Sequence, residues 1–304
     1  MNTRVIYVLS VLIWGSTWLA ISYQLGVVAL EVSVFYRYGA ASVLLLTFCV
    51  LTSRPLRYNL AQHRLFAGVG LLMFCINYLM AYAAQEHISS ALNALIYSCI
   101  VWMNIVNARI FLKVRSSPEV LGGAVLGMLG IGILFWPSLS ALDTSHTLLI
   151  GGAMATLGAL SASFGNVLSQ HALTHLPVVQ VNAWGMTYGA LFNLLVCLAL
   201  GREFTFDLST GYVGSMLFLI VGGSIAGFVL YLTLIGRLGA NRAGYVVVAF
   251  PVVATVLAVI FEGLKVTGWL FAGMVLVLLG NVLILNQGRQ IAVSEAFSGN
   301  EKST

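Results

Sequence analysis

Residues 242–262 read RAGYVVVAFPVVATVLAVIFE, a run without a single charge between Arg242 and Glu262 that nevertheless carries a proline, Pro251, near its middle. At about 1.5 Å of rise per residue, such a run is long enough to cross the ~30 Å hydrocarbon core of a bilayer as a helix. Proline supplies no backbone N–H, so the Val247 carbonyl four residues back loses its helical donor and the helix bends. In hydrocarbon no water replaces that donor, and irregular backbone is tolerated only where it is packed in protein or lines a cavity.

The rest of the chain has the same character. Of its 304 residues 60% are hydrophobic and 8% are charged, against roughly a quarter charged in soluble domains. Ten stretches have the length and composition of membrane helices, near residues 5–24, 31–51, 65–85, 89–112, 118–137, 148–170, 178–200, 211–236, 242–262 and 266–286. The first begins as a signal peptide does. Its apolar run is too long, however, holds two tryptophans and lacks a small-x-small cleavage site, so a retained span is expected. Connectors are short, leaving no soluble domain to do chemistry.

The net charge of +5 does not indicate nucleic acid, because its Lys and Arg residues are scattered between apolar runs instead of clustered on one face. They report topology. With the N-terminus in the cytoplasm, all of them except Arg37, Arg202 and Lys265 fall in cytoplasmic segments, and an even number of spans returns the C-terminus to the same side. Cys49, Cys75, Cys99 and Cys197 lie in apolar segments without CxxC spacing and read as small packing residues.

The chain also repeats itself. Sliding residues 88–135 by 150 positions onto 238–285 pairs Val106 with Val256, Ala108 with Ala258, Phe111 with Phe261, Gly123 with Gly273 and Gly130 with Gly280 without a gap. Five spans in each copy is an odd number, so the second copy enters the membrane from the opposite side, as an inverted repeat. The division is 1–137 for the first repeat, 138–147 for a connecting loop, 148–287 for the second repeat and 288–304 for a cytoplasmic tail.

WGSTW (14–18), Arg37 within FYRYGAAS (35–42), SALNALIYS (90–98) and the run from Phe250 to Leu285 together resemble the EamA branch of the drug/metabolite transporter superfamily. The resemblance covers almost the whole chain. It implies an all-α membrane protein of ten transmembrane helices, arranged as two inverted five-helix repeats around a central cavity. It further implies export of small metabolites, commonly amino acids, across a bacterial inner membrane. Two positions depart from the family pattern. Val101 stands where the repeat shift would place a second proline opposite Pro251, so one half is expected to be more kinked than the other. The Gly-Glu pair after the ninth span is reversed as Glu262-Gly263.

None of the nine acidic residues lies in the middle of a span, which argues against proton coupling through a central carboxylate. Arg37 is the one charge well inside a span. It is either a snorkelling or structural arginine or a ligand for a substrate carboxylate. Aromatic and amide side chains occupy span interiors instead, among them Trp14, Tyr78, Tyr82, Asn93, Tyr97, Trp102, Phe164, Asn166, Tyr231 and Tyr245. Tyr78 and Tyr82 share a helical face, as do Asn93 and Tyr97. Such faces can stack on an apolar or aromatic substrate while hydrogen-bonding its polar groups.

With Arg37, these residues form the expected substrate site, and Pro251 is its hinge or a plain structural kink. Gly123 and Gly127, and Gly273 and Gly280, offer small faces for close helix approach. His171 and His175 stand four apart without HExxH or a nearby acid, so no metal is expected, nor any cofactor. No nucleophile elbow or carboxylate pair suggests an enzyme. The expected partners are a small-molecule substrate and the lipid bilayer, with the chain a monomer or weak oligomer. A channel-like facilitator, a membrane sensor or an importer of another metabolite class stays open.

Overall fold

The computed structural model describes residues 1–88, 90–113, 118–134, 136, 146–261, 263, 267–269, 271–276 and 279–280. Nearly all of these are helical and none is in a strand. In chain order the helices are α1 (Thr3–Ser22), α2 (Leu30–Leu51), α3 (Leu60–Gln85), α4 (Ser90–Tyr97), α5 (Ile100–Phe111), α6 (Pro118–Leu134), α7 (His146–Ala172), α8 (Val178–Ala199), α9 (Thr210–Gly239) and α10 (Tyr245–Phe261). Five of them, α1, α2, α3, α8 and α9, are long and apolar enough to cross a membrane. Residues 271–276 and 279–280 are helical within the tenth expected span. The rest of that span apart from 267–269, the centre of the connecting loop, Glu262 and the tail 288–304 lie outside the described residues.

Local chemistry starts the helices where the sequence changes character. The Asn2 side chain accepts from the Arg4 N–H at the head of α1. Asn59 and Gln62 close a reciprocal capping box at the head of α3, each bond 2.9 Å long. Ser209 accepts from the Tyr212 N–H at the head of α9.

Burial is inverted relative to a soluble protein. On α2 the apolar Val43, Leu44, Val50 and Leu51 face outward, while Ser33, Arg37 and Ser42 are buried; on α8 Leu191, Leu195 and Leu198 face outward while Gln180, Asn182 and Asn193 are buried. A surface of this kind is stable only against lipid.

The longest helix contact runs between α2 and α8, and an Arg202–Glu31 ion pair of 3.0 Å joins the α8–α9 connection to the start of α2. The 150-residue shift carries α1 towards α7, α4–α5 towards α10, and α3 towards α9. The packing follows the same exchange: α1 lies on α10 and α9, and α7 lies on α4–α5 and α3. Small residues allow close approach. A Cβ placed on Gly280 would stand 2.7 Å from the Gly123 carbonyl oxygen and 2.9 Å from the Gly127 nitrogen, so the glycine faces expected from the sequence meet here.

Two features differ from a plain bundle of helices. First, α3 and α9 each contain a π-helical segment, Gly70–Ile76 and Leu219–Ala226, and the repeat shift carries Ile76 onto Ala226. A π-segment opens the i→i−4 ladder, so its carbonyls can accept from outside. The Leu72 carbonyl accepts from Ser161 of α7 at 2.7 Å, and the Phe74 carbonyl from Asn193 of α8 at 3.1 Å. The Gly223 carbonyl accepts from Trp14 Nε1 of α1, also at 3.1 Å.

Second, the fourth expected span, 89–112, is not one helix. It breaks at Ser98 and Cys99, whereas α10 runs unbroken through Pro251, so the interruption falls in the half without the proline. The physical reason lies in how the two meet. The ladder tightens there to i−3 bonds, Cys99 N–H to the Ile96 carbonyl at 3.0 Å and Val101 N–H to the Ser98 carbonyl at 3.4 Å, while the Ser98 hydroxyl donates to the Ala94 carbonyl at 3.1 Å. The same hydroxyl stands 3.5 Å from the Val247 carbonyl, the group that Pro251 leaves without a helical donor.

Candidate functional site

Six spans surround a small, partly enclosed cavity of about 60 Å3 with largely apolar walls. From the first half, α1 contributes Trp14, Thr17, Trp18 and Ile21, α3 contributes Met73, Asn77, Tyr78 and Ala81, and α4–α5 contributes Tyr97 and Ile100. From the second half, α7 contributes Ala162 and Asn166, α9 contributes Phe228 and Tyr231, and α10 contributes Val247 and Phe250. The first π-segment places Met73 on the wall, and the second ends two residues before the wall residue Phe228. Among the described residues no acidic side chain lines the cavity.

The aromatic wall is interlocked. The Trp14 ring packs on Tyr231 at 4.5 Å and on Phe228 at 4.9 Å, and Trp18 packs on Tyr97 at 5.2 Å and on Phe250 at 5.6 Å. These separations suit edge and tilted ring contacts. The polar groups are anchored in turn. Tyr97 donates to Asn77, whose backbone carbonyl lies at 2.9 Å and whose side-chain oxygen lies at 3.0 Å. One turn earlier Asn93 donates to the Ala81 carbonyl at 2.8 Å, so the α4 face carrying Asn93 and Tyr97 is laced onto α3. Asn166 donates to Asn104 at 3.2 Å, with the Tyr231 hydroxyl beside both amides.

Of the residues expected at the site, Trp14, Tyr78, Tyr97, Asn166 and Tyr231 lie on the wall. Tyr82 and Arg37 lie directly behind it. Arg37 is fully buried, which rules out snorkelling: the guanidinium reaches no water or headgroup. Its Nε donates to the Ser224 hydroxyl at 2.8 Å and its Nη1 to the Tyr82 hydroxyl at 3.4 Å. Its Cζ stands 4.6 Å from the Tyr78 ring centre and 5.2 Å from that of Tyr38. Arg37 therefore explains the Tyr78/Tyr82 spacing, since both tyrosines of that face serve one cation.

Asn93 acts one residue behind the wall. Tyr245 is buried near α1, where its backbone carbonyl accepts from Tyr7 at 3.1 Å. Phe164 packs against the outward-facing Phe111 at 5.9 Å, away from the cavity. The Trp102 side chain lies outside the described residues. Sequence reading passed over Trp18, Phe228 and Phe250 on the wall. Trp18 stands four residues after Trp14 and Phe250 next to Pro251, and those neighbours were the available signal.

Comparison with known proteins agrees with this architecture. Residues 4–136 and 149–286 each match the EamA-like transporter family. An uncharacterized transporter, YoaV, of Bacillus subtilis (strain 168) is 23% identical over 247 residues, covering 80% of this chain and 82% of that protein. A probable amino-acid metabolite efflux pump of Salmonella typhimurium (strain LT2) is 27% identical over 176 residues, 55% of this chain and 57% of that one. A protein crystal structure with 18% sequence identity shares the fold with a TM-score of 0.78, over 95% of this chain and 98% of the other. With both of its halves matched, the chain belongs to the EamA-like transporter family and is a membrane transporter of that type.

Proposed function

We propose that this transporter exports small metabolites from the bacterial cytoplasm, foremost amino acids with aromatic or bulky apolar side chains, by alternating access across the inner membrane. The observation that carries this reading is the cavity: three spans of each half enclose it, and its walls combine interlocked aromatic rings with anchored amides and hydroxyls. A chamber of that composition suits a ligand with an apolar body and a few polar groups. The paired packing of the halves and the matched π-segments support ten spans in two inverted five-helix repeats, which rock against each other about the cavity. The distribution of Lys and Arg supports a cytoplasmic location for both termini. The Salmonella relative's printed role supports amino-acid metabolites as the substrate class and export as the direction.

In this reading Trp14, Tyr78, Tyr97, Asn166 and Tyr231 contact the substrate, and Tyr82 and Asn93 hold the wall in shape. The Ser98–Val247–Pro251 junction is where α4–α5 and α10 flex. The test is counterflow in liposomes containing the purified protein. Preloading with unlabelled aromatic or bulky apolar amino acids should drive uptake of the same labelled amino acid at trace concentration. A folded protein that gives no counterflow with any amino acid sinks the substrate class.

A further inference from the structure

Arg37 is a cation without an anion. Among the described residues the one ion pair joins Arg202 to Glu31, and Arg37 has only hydroxyls and ring faces around it. Its Nη2 has no hydrogen-bond partner there at all. A buried charge in a membrane protein is costly unless it is paired, and neutral donors and rings offset only part of that cost.

The free donor faces the cavity wall from behind. A Cβ on Gly223 would stand 3.1 Å from Arg37 Nη2 and 2.8 Å from Thr17 Cγ2, while the Gly223 carbonyl already holds Trp14 Nε1. Thr17, Trp14 and Tyr78 are wall residues, so Nη2 is one side chain away from the cavity. Where α7 meets the cavity, Asn166 presents an amide oxygen without a partner among the described residues. That oxygen can accept from a neutral N–H without leaving a charge unpaired, and among the described residues no carboxylate lines the cavity to pair with an ammonium.

Building on the carrier reading above, we propose that the favoured cargo is a net monoanion: an apolar or aromatic body bearing one carboxylate and no free ammonium, such as an N-acylated amino acid. Its carboxylate pairs with Arg37 when Tyr78 and Trp14 part, and its amide N–H faces Asn166. A free amino acid satisfies Arg37 equally well but brings an ammonium that finds no anion in a low-dielectric chamber. The monoanion leaves neither charge unpaired.

The experiment is competition in counterflow among three compounds with one shared body: N-acetyl-L-phenylalanine, L-phenylalanine and L-phenylalaninamide, with protein-free liposomes subtracted. The expected order of apparent affinity is anion, zwitterion, cation, with the anion ahead of the zwitterion by about 10- to 100-fold, the cost of burying the ammonium of the zwitterion without a counter-charge. Arg37→Gln should abolish the advantage of the anion. Thr17→Asp, which supplies a carboxylate beside Nη2 and so pairs Arg37 within the protein, should likewise remove the advantage of the anion and keeps the question answerable if Arg37→Gln does not fold. Phenylalanine matching or exceeding its N-acetyl form in the unaltered protein overturns the proposal while leaving the carrier reading standing. So does an anion preference that survives both substitutions. Failure of all three compounds overturns both.

Discussion

Replacing Tyr97 with phenylalanine removes one oxygen and leaves the cavity otherwise intact. The ring keeps its place on the wall and its contact with Trp18. What is lost is the donor to Asn77, a residue only 6% exposed. The Asn77 amide nitrogen stays bonded to the Met73 carbonyl at 3.1 Å, so its side-chain oxygen is the group left without a donor. A buried neutral hydrogen bond contributes about 0.5–1.5 kcal/mol, and interhelical bonds in membranes average about 0.6 kcal/mol. The expected loss is thus about 0.6–1.5 kcal/mol, a shift of about 3- to 13-fold in the unfolding equilibrium. Asn77→Ala removes the side-chain acceptor but keeps the backbone one, so a double-mutant cycle should return only part of the total, about 0.6 kcal/mol of coupling. Reversible unfolding in mixed detergent–SDS micelles measures all four corners. A coupling of zero would refute the reasoning, since α3 and α4 would then be joined at this point by ring packing alone.

Other substitutions test the remaining joints of the account. A Cβ on Gly70 would stand 2.7 Å from the Gly185 carbonyl oxygen and 2.8 Å from the Gly189 nitrogen, so Gly70→Ala should push α3 off α8 and cost about 1–3 kcal/mol in the same assay. An unchanged midpoint would show that the helices are not in backbone contact. Ser98→Ala should cost about 0.5–1 kcal/mol in the natural chain and less in a Pro251→Ala background, because alanine restores an N–H to the Val247 carbonyl. Equal costs in both backgrounds would separate Ser98 from the proline. Reporter fusions after residues 55 and 203 should report cytoplasmic and external locations respectively; the opposite pattern would reverse the proposed orientation.

Membrane character was plain in residues 242–262, because one unbroken apolar run of that length has few other uses. The aromatic content of the site was also legible, yet which rings face the cavity was not. Trp14 and Phe164 read alike in sequence, and only the rotation of their helices puts one on the wall and the other beside Phe111 on the outside. The π-segments left no trace in composition. They depend on donors such as Ser161, Asn193 and Trp14, which reach their carbonyls from helices remote in the chain. The break at Ser98 escaped notice for a related reason: serine occurs often within membrane helices, and only its position opposite Val247 makes this one distinctive. Arg37 was recognised as unusual, but its confinement among Tyr38, Tyr78, Tyr82 and Ser224 needed three helices in place.

The most direct test of alternating access uses a chain with its four cysteines, Cys49, Cys75, Cys99 and Cys197, replaced and one new cysteine on the wall, Ala81→Cys in the first half or Ala162→Cys in the second. A membrane-impermeant thiol reagent is applied to right-side-out and to inverted vesicles. The account predicts that each cysteine reacts from both faces, and that substrate shifts the two rates in opposite directions as it redistributes the conformations. Reaction from one face alone, or equal changes on both, would contradict a carrier and leave a pocket or a channel.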